Sequence, residues 1–235
     1  MIAPTTDPQT SHSSWPFLSV FLVSLGLLCF CALFLIIDQA YFRFISSHFP
    51  PVGTSSLLAT AWGIVSRIPW ILILAAVAIL RPRLLALRAG EMRARWRLVL
   101  SIIVINCAVV GAFLLVSENG TPYSGNQWLF TEIVTVPVVE ELFWRGLVFS
   151  VLLALLQRSL GKGLALTLTI WLSGIAFGLL HAGNALAGVS VQFVAIQTLN
   201  AAIWGVVYGY ARAKTDSVYP SMLSHAAMNL VVILF

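Results

Sequence analysis

Two adjacent carboxylates, Glu140 and Glu141, open the stretch EELFWRG, with Arg145 four residues beyond the second of them. On a helix, residues four apart are neighbours on one face, so Glu141 and Arg145 can pair. Pairing lowers the cost of keeping both charges in a low-dielectric site and fixes one carboxylate. Glu140 sits about 100° around the same helix, free to face a substrate, a water or a metal. Further on, FGLLH stacks Phe177 over the turn beneath His181, and HAAMN puts His225 and Asn229 on one face. Each element has a plain structural reading: a buried ion pair between helices, a packing histidine, a His–Asn pair acting as interhelical glue. Together they set two carboxylates, two imidazoles, a guanidinium and a carboxamide on three otherwise apolar segments, and a common site is the economical explanation.

The chemistry open to such a set is hydrolysis. A peptide bond yields to a water made nucleophilic and to donors that stabilise the developing oxyanion. Glu and His can supply the first, as a general base with its partner or as metal ligands that lower the pKa of a bound water. His and Asn can supply the second.

The elements that must position these groups are membrane helices. The chain has 235 residues, of which 60% are hydrophobic and 9% charged, against about a quarter charged in a soluble domain. Since a span takes about 20 apolar residues, the sequence is read as all-α: a polytopic transmembrane helix bundle with about seven spans, at 15–37, 55–80, 98–116, 128–156, 164–182, 191–210 and 217–235. The active site would then draw on spans four, five and seven. Residues 1–14 are polar, without Lys or Arg, and are expected to be a disordered tail; the run from residue 15 is longer than a signal-peptide core and is read as a retained span. Residues 15–235 form a single transmembrane domain.

Net charge is +5, but ten of the thirteen Lys and Arg lie in three connections: RPRLLALRAGEMRARWR at 81–97, Arg158 with Lys162, and Arg212 with Lys214. That placement is topology information and not a nucleic-acid surface. It puts the N-terminus in the cytoplasm and the C-terminus outside. The 81–97 segment reads either as an amphipathic helix on anionic headgroups or as a solvated basic loop. Arg67 falls within the second span and must face the bundle or a cavity. Glu132 lies near a boundary. Pro137 frees the carbonyl of Ile133 and predicts a kink beside the site. Gly174 with Gly178 and Gly205 with Gly209 are small-xxx-small pairs that let helices approach closely. Cys29, Cys31 and Cys107 read as small buried hydrophobes.

The three motifs, in order along successive helices, resemble the CPBP family: CAAX prenyl endopeptidases of the second type with their bacterial relatives, the bacteriocin-processing enzymes and immunity-associated membrane proteins. The resemblance covers about 131–235. It implies that Glu140 and His181 activate the attacking water, that His225 and Asn229 stabilise the oxyanion, and that Arg145 orients Glu141. A divalent ion such as Zn²⁺ on Glu140, His181 and His225 is compatible with it, as is a metal-free mechanism. The partners it implies are the lipid bilayer and a peptide or protein substrate in or at the membrane, with no nucleic acid. The location it implies is a bacterial cell membrane. A non-catalytic scaffold or bacteriocin-immunity-type protein is a competing reading, as is a proton-coupled transporter, which lacks the paired broken helices such folds use. Counted from the predicted span ends, Glu140, His181 and His225 lie at different depths, which the fold has to reconcile.

Overall fold

The distribution of side chains is the reverse of a soluble protein's. Large apolar groups such as Phe17, Leu57, Ile79 and Leu115 face outward, while Asn106, Glu141, Arg145 and Thr169 are fully enclosed. With lipid as solvent there is no advantage in hiding aliphatic side chains, and every polar backbone group has to be satisfied within its own helix. The computed structural model describes residues 16–48, 56–116 and 128–234, and it holds helices with no strand among them.

The helices are α1 (Pro16–His48), α2 (Ser56–Val65), α3 (Ile68–Leu80), α4 (Trp96–Val116), α5 (Val136–Glu141), α6 (Phe149–Leu156), α7 (Lys162–His181), α8 (Val191–Thr215) and α9 (Tyr219–Leu234). Among the described residues four, α1, α4, α7 and α8, are long and apolar enough to cross a membrane, and α2 with α3 makes a fifth if the pair counts as one bent span. The predicted second span is broken: α2 and α3 meet at 64°, with Arg67 at the break. Its guanidinium donates to the Gly63 carbonyl at 3.2 Å and to Ser66 Oγ at 3.3 Å, so the charge sits where freed backbone can receive it. The predicted fourth span is one helical run in which π-helical turns at Thr131–Thr135 and Leu142–Val148 bracket α5. A π turn inserts one residue into an α-helix and is frequently found at functional sites; here one ends two residues before Pro137. The predicted 1–14 tail lies outside the described residues.

The two glycine pairs join α7 to α8. A Cβ on Gly174 would stand 2.5 Å from the Val206 backbone nitrogen, and one on Gly205 would stand 2.7 Å from the Gly174 carbonyl oxygen. The two backbones therefore touch directly, as small residues permit. On the opposite flank, Phe34 of α1, Trp70 of α3 and Phe143 form an aromatic cluster with centroid separations of 4.3, 4.8 and 5.2 Å. It ties the N-terminal helices to the run that carries the carboxylates. Cys31 is buried against this cluster, whereas Cys29 is exposed.

The basic 81–97 segment is neither a continuous amphipathic helix nor a free loop. A 3-10 turn at Pro82–Leu85 leads into turns packed on the α8–α9 connection. Val218 N–H donates to the Ala86 carbonyl, Glu91 N–H donates to the Thr215 carbonyl, and Arg88 pairs with Asp216. Gly90 adopts φ +51° with its α-carbon against Thr215, where no side chain would fit. Ser150 Oγ donates to the Leu84 carbonyl at 2.9 Å, and Leu85 backbone lies against Gly146. The α8–α9 turn is thereby held level with Gly146–Ser150, between one and three helical turns above the end of α6.

Candidate active site

That depth is what brings the three motif helices together. Arg145 lies with its Cζ 4.3 Å from the centre of the Phe177 ring, so these two residues share a level on helices that run in opposite directions. Glu141 is one turn before Arg145 and His181 one turn after Phe177; antiparallel chain direction carries both the same way, to a common level. The predicted mismatch in depth came from measuring His225 from the end of its span. Because α9 starts beside Gly146, His225 rises to meet Glu141.

Glu141 and Arg145 are both fully buried. Arg145 Nη1 donates to Glu141 Oε1 at 3.3 Å, and its Nε stands 3.2 Å from Oε2. The same Oε1 accepts from His225 Nδ1 at 2.9 Å. A carboxylate can only accept, so Nδ1 carries the hydrogen and Nε2 is left for another group. Ser221, one turn before His225 on α9, donates its hydroxyl to the Val218 carbonyl at 2.8 Å. A buried ion pair recovers its desolvation cost only with extra hydrogen bonds, and Glu141 has one from His225 across the helix interface.

His181 presents the complementary arrangement. Its Nδ1 lies 3.0 Å from the carbonyl oxygen of Phe177, one turn below. That oxygen accepts only, so Nδ1 is again the protonated nitrogen and Nε2 offers a lone pair. The ring packs edge-on to Phe177 at 4.8 Å, and Phe177 is 6.4 Å from the His225 ring; one phenyl group therefore separates the two histidines. Glu140 is half-buried, and among the described residues no hydrogen bond or ion pair holds its carboxylate. Its charge reaches His225, Glu132 and Asp38.

Asn229 has a partner that follows from Pro137. The Val136 N–H bonds to the Thr131 carbonyl, five residues back. In that register the Glu132 carbonyl would accept from residue 137, which is proline and has no N–H. Asn229 Nδ2 donates to that carbonyl instead, at 2.8 Å. The oxygen that Asn229 meets is thus Glu132's, where the sequence pointed to Ile133's, since the π turn shifts the pairing by one residue. One amide hydrogen of Asn229 is committed to the backbone and one remains.

Glu140, His181 and His225 do not fit a divalent ion such as Zn²⁺ in this arrangement: among the described residues no three His, Cys, Asp or Glu side chains come close enough to hold one. Three residues near the cluster were not singled out from the sequence. Asp38, which accepts from Trp70 Nε1 at 2.9 Å, fell one residue past the predicted end of span one, although α1 continues to His48. Asn106 and Tyr208 are neutral, so a search for ionisable groups in apolar runs passes over them.

Long apolar helices, lipid-facing aliphatic surfaces and an enclosed set of charges define an integral, multi-pass membrane protein. Residues 123–231 match the type II CAAX prenyl endopeptidases, Rce1-like, a family of proteases to which this region is similar. No curated protein matches the chain, and no solved structure does.

Proposed function

We propose that this chain is an intramembrane endopeptidase that hydrolyses a peptide bond of a membrane-associated polypeptide, using a water activated by Glu140 and His181. The observation that carries this reading is the enclosed Glu141–Arg145–His225 set, bonded to itself at 2.9 to 3.3 Å, beside two half-buried groups that have no hydrogen-bond partner among the described residues: the Glu140 carboxylate and His181 Nε2. A purely structural ion pair has no need of the second carboxylate or the second imidazole. Glu140 takes a proton from the water as the water oxygen attacks the scissile carbonyl carbon, with His181 Nε2 accepting the water's other hydrogen bond. The oxyanion that forms meets the Nε2–H of a His225 ring protonated on both nitrogens and ion-paired through Nδ1 with Glu141, together with the remaining amide hydrogen of Asn229. As the carbon–nitrogen bond breaks, the proton taken by Glu140 passes to the departing amine.

Glu141 and Arg145 do not react in this scheme. Glu141 fixes which His225 nitrogen faces the substrate, and Arg145 balances its charge. The scheme routes no step through a metal, so cleavage is expected to survive chelation; activity lost to chelator and restored by Zn²⁺ would replace it. We further assign seven crossings of a bacterial cell membrane, with the basic connections and the N-terminus cytoplasmic and the C-terminus outside, on the placement of Lys and Arg.

Reconstitution of the purified chain with membrane-associated peptides tests the reading. Cleavage by the native chain that disappears in Glu140→Ala and in His181→Ala, both folded, is the expected result. Undiminished cleavage in either variant would remove the mechanism, and peptide uptake into vesicles without cleavage would favour a transporter.

A further inference from the structure

We infer that Tyr208 and Asn106 are positioning residues of the catalytic cluster, so that α4, which lies outside the 123–231 family match, is a working part of the site. The Arg145 Cζ that packs on Phe177 is also 5.3 Å from the centre of the Tyr208 ring. The His225 ring lies 6.2 Å from that same ring, at 32° to its plane. Tyr208 therefore touches the two groups that flank the Glu141 carboxylate, and it is 2% exposed.

What holds Tyr208 is Asn106, one of the few polar side chains on α4 and fully enclosed. Asn106 Nδ2 donates to the Tyr208 hydroxyl at 2.5 Å and to Ser224 Oγ at 3.2 Å. Tyr208 and Ser224 thus share the one Asn106 amide group, which links side chains from α4, α8 and α9. Ser224 immediately precedes His225. One carboxamide thus grips both the aromatic ring beside the imidazole and the residue next to it in the chain. A phenylalanine would fill the same space at position 208, so packing alone gives no reason for the hydroxyl or for an enclosed asparagine, whose desolvation is costly. Networks of this kind gain their value by fixing one arrangement of the groups they touch.

Tyr208→Phe keeps the ring and removes the lock; Asn106→Ala removes the lock from the other side. Val109→Ala, at a half-exposed position of α4, is the control. In ¹⁵N-histidine spectra of the detergent-solubilised chain, both variants are expected to shift the His225 ring resonances and leave those of His181 in place, with the control unchanged. This readout does not depend on cleavage. The kinetic arm rests on the peptidase reading: a fall in kcat of about tenfold with KM little changed, an altered pH profile, and a double variant no worse than Asn106→Ala alone, because the bond that Tyr208→Phe removes is already lost there. Should no preparation cleave any peptide, the peptidase reading falls while the spectra still decide the inference. Native His225 resonances in Tyr208→Phe, or effects of the two substitutions that simply add, would overturn it.

Discussion

Glu141 and His225 are 84 residues apart in the chain and 2.9 Å apart in space, joined by a hydrogen bond between two buried side chains. Its consequence is a sharp difference between two neighbouring carboxylates. Glu140→Gln is expected to leave thermal unfolding in detergent unchanged and to cut cleavage by about 10²- to 10⁴-fold, the usual weight of a general base. Glu141→Gln is expected to lower the unfolding temperature as well, because an amide cannot balance Arg145 or accept in full from His225. Equal unfolding temperatures for the two variants would contradict this division.

Arg145 tests the same cluster from the other charge. With its guanidinium gone, Glu141 stays enclosed with an imidazole as its nearest balancing group, and breaking a buried pair from one side costs about 3–5 kcal/mol. Arg145→Met should therefore be strongly destabilised despite being more apolar. Arg145→Lys should recover part of the stability but less of the activity, since a lysine cannot place a flat cation against both Phe177 and Tyr208. Unfolding curves and cleavage rates of the two variants, side by side, check both statements.

The α7–α8 seam carries a prediction of a different kind. Gly205→Ala would drive a methyl into the Gly174 backbone and toward Arg145 Nη2, 3.2 Å from the same point. The helices must part to admit it, at about 1–3 kcal/mol, and the guanidinium moves with them. Loss of both stability and activity is expected there. Gly209→Ala, whose added carbon meets Ile170 at an ordinary 3.5 Å, should be tolerated. A tolerated Gly205→Ala would mean the seam is looser than its geometry.

Much of this was readable before any coordinates. Charges in apolar runs are rare enough that Glu141 and Arg145, four residues apart, announce a pair, and the glycine spacing marks the α7–α8 contact. Depth was not readable. It is set by the basic 81–97 segment folding inward onto Asp216 and Val218, a long-range packing event that no periodicity encodes. Nor does hydropathy distinguish α from π turns, since the inserted residue leaves composition untouched. Asn106 and Tyr208 escaped because a neutral polar side chain in an apolar helix is too common to stand out; only their convergence on Arg145 and His225 gives them meaning.

Pro137 and Asn229 make the most specific prediction, because one residue creates the need that the other fills. Asn229→Ala leaves the Glu132 carbonyl without a donor, and an unsatisfied buried acceptor costs about 1–3 kcal/mol. Pro137→Ala alone should be nearly neutral, since Asn229 still serves that oxygen. Combined, the two substitutions should do less harm than Asn229→Ala alone: a backbone N–H at position 137 can close the π register on Glu132 by itself. A double-mutant cycle on unfolding reads the coupling directly. Strictly additive effects would show that the Asn229 amide is not standing in for the proline's missing hydrogen. Activity separates the two duties of Asn229: a double variant that regains stability but not cleavage places the amide's second hydrogen at the oxyanion.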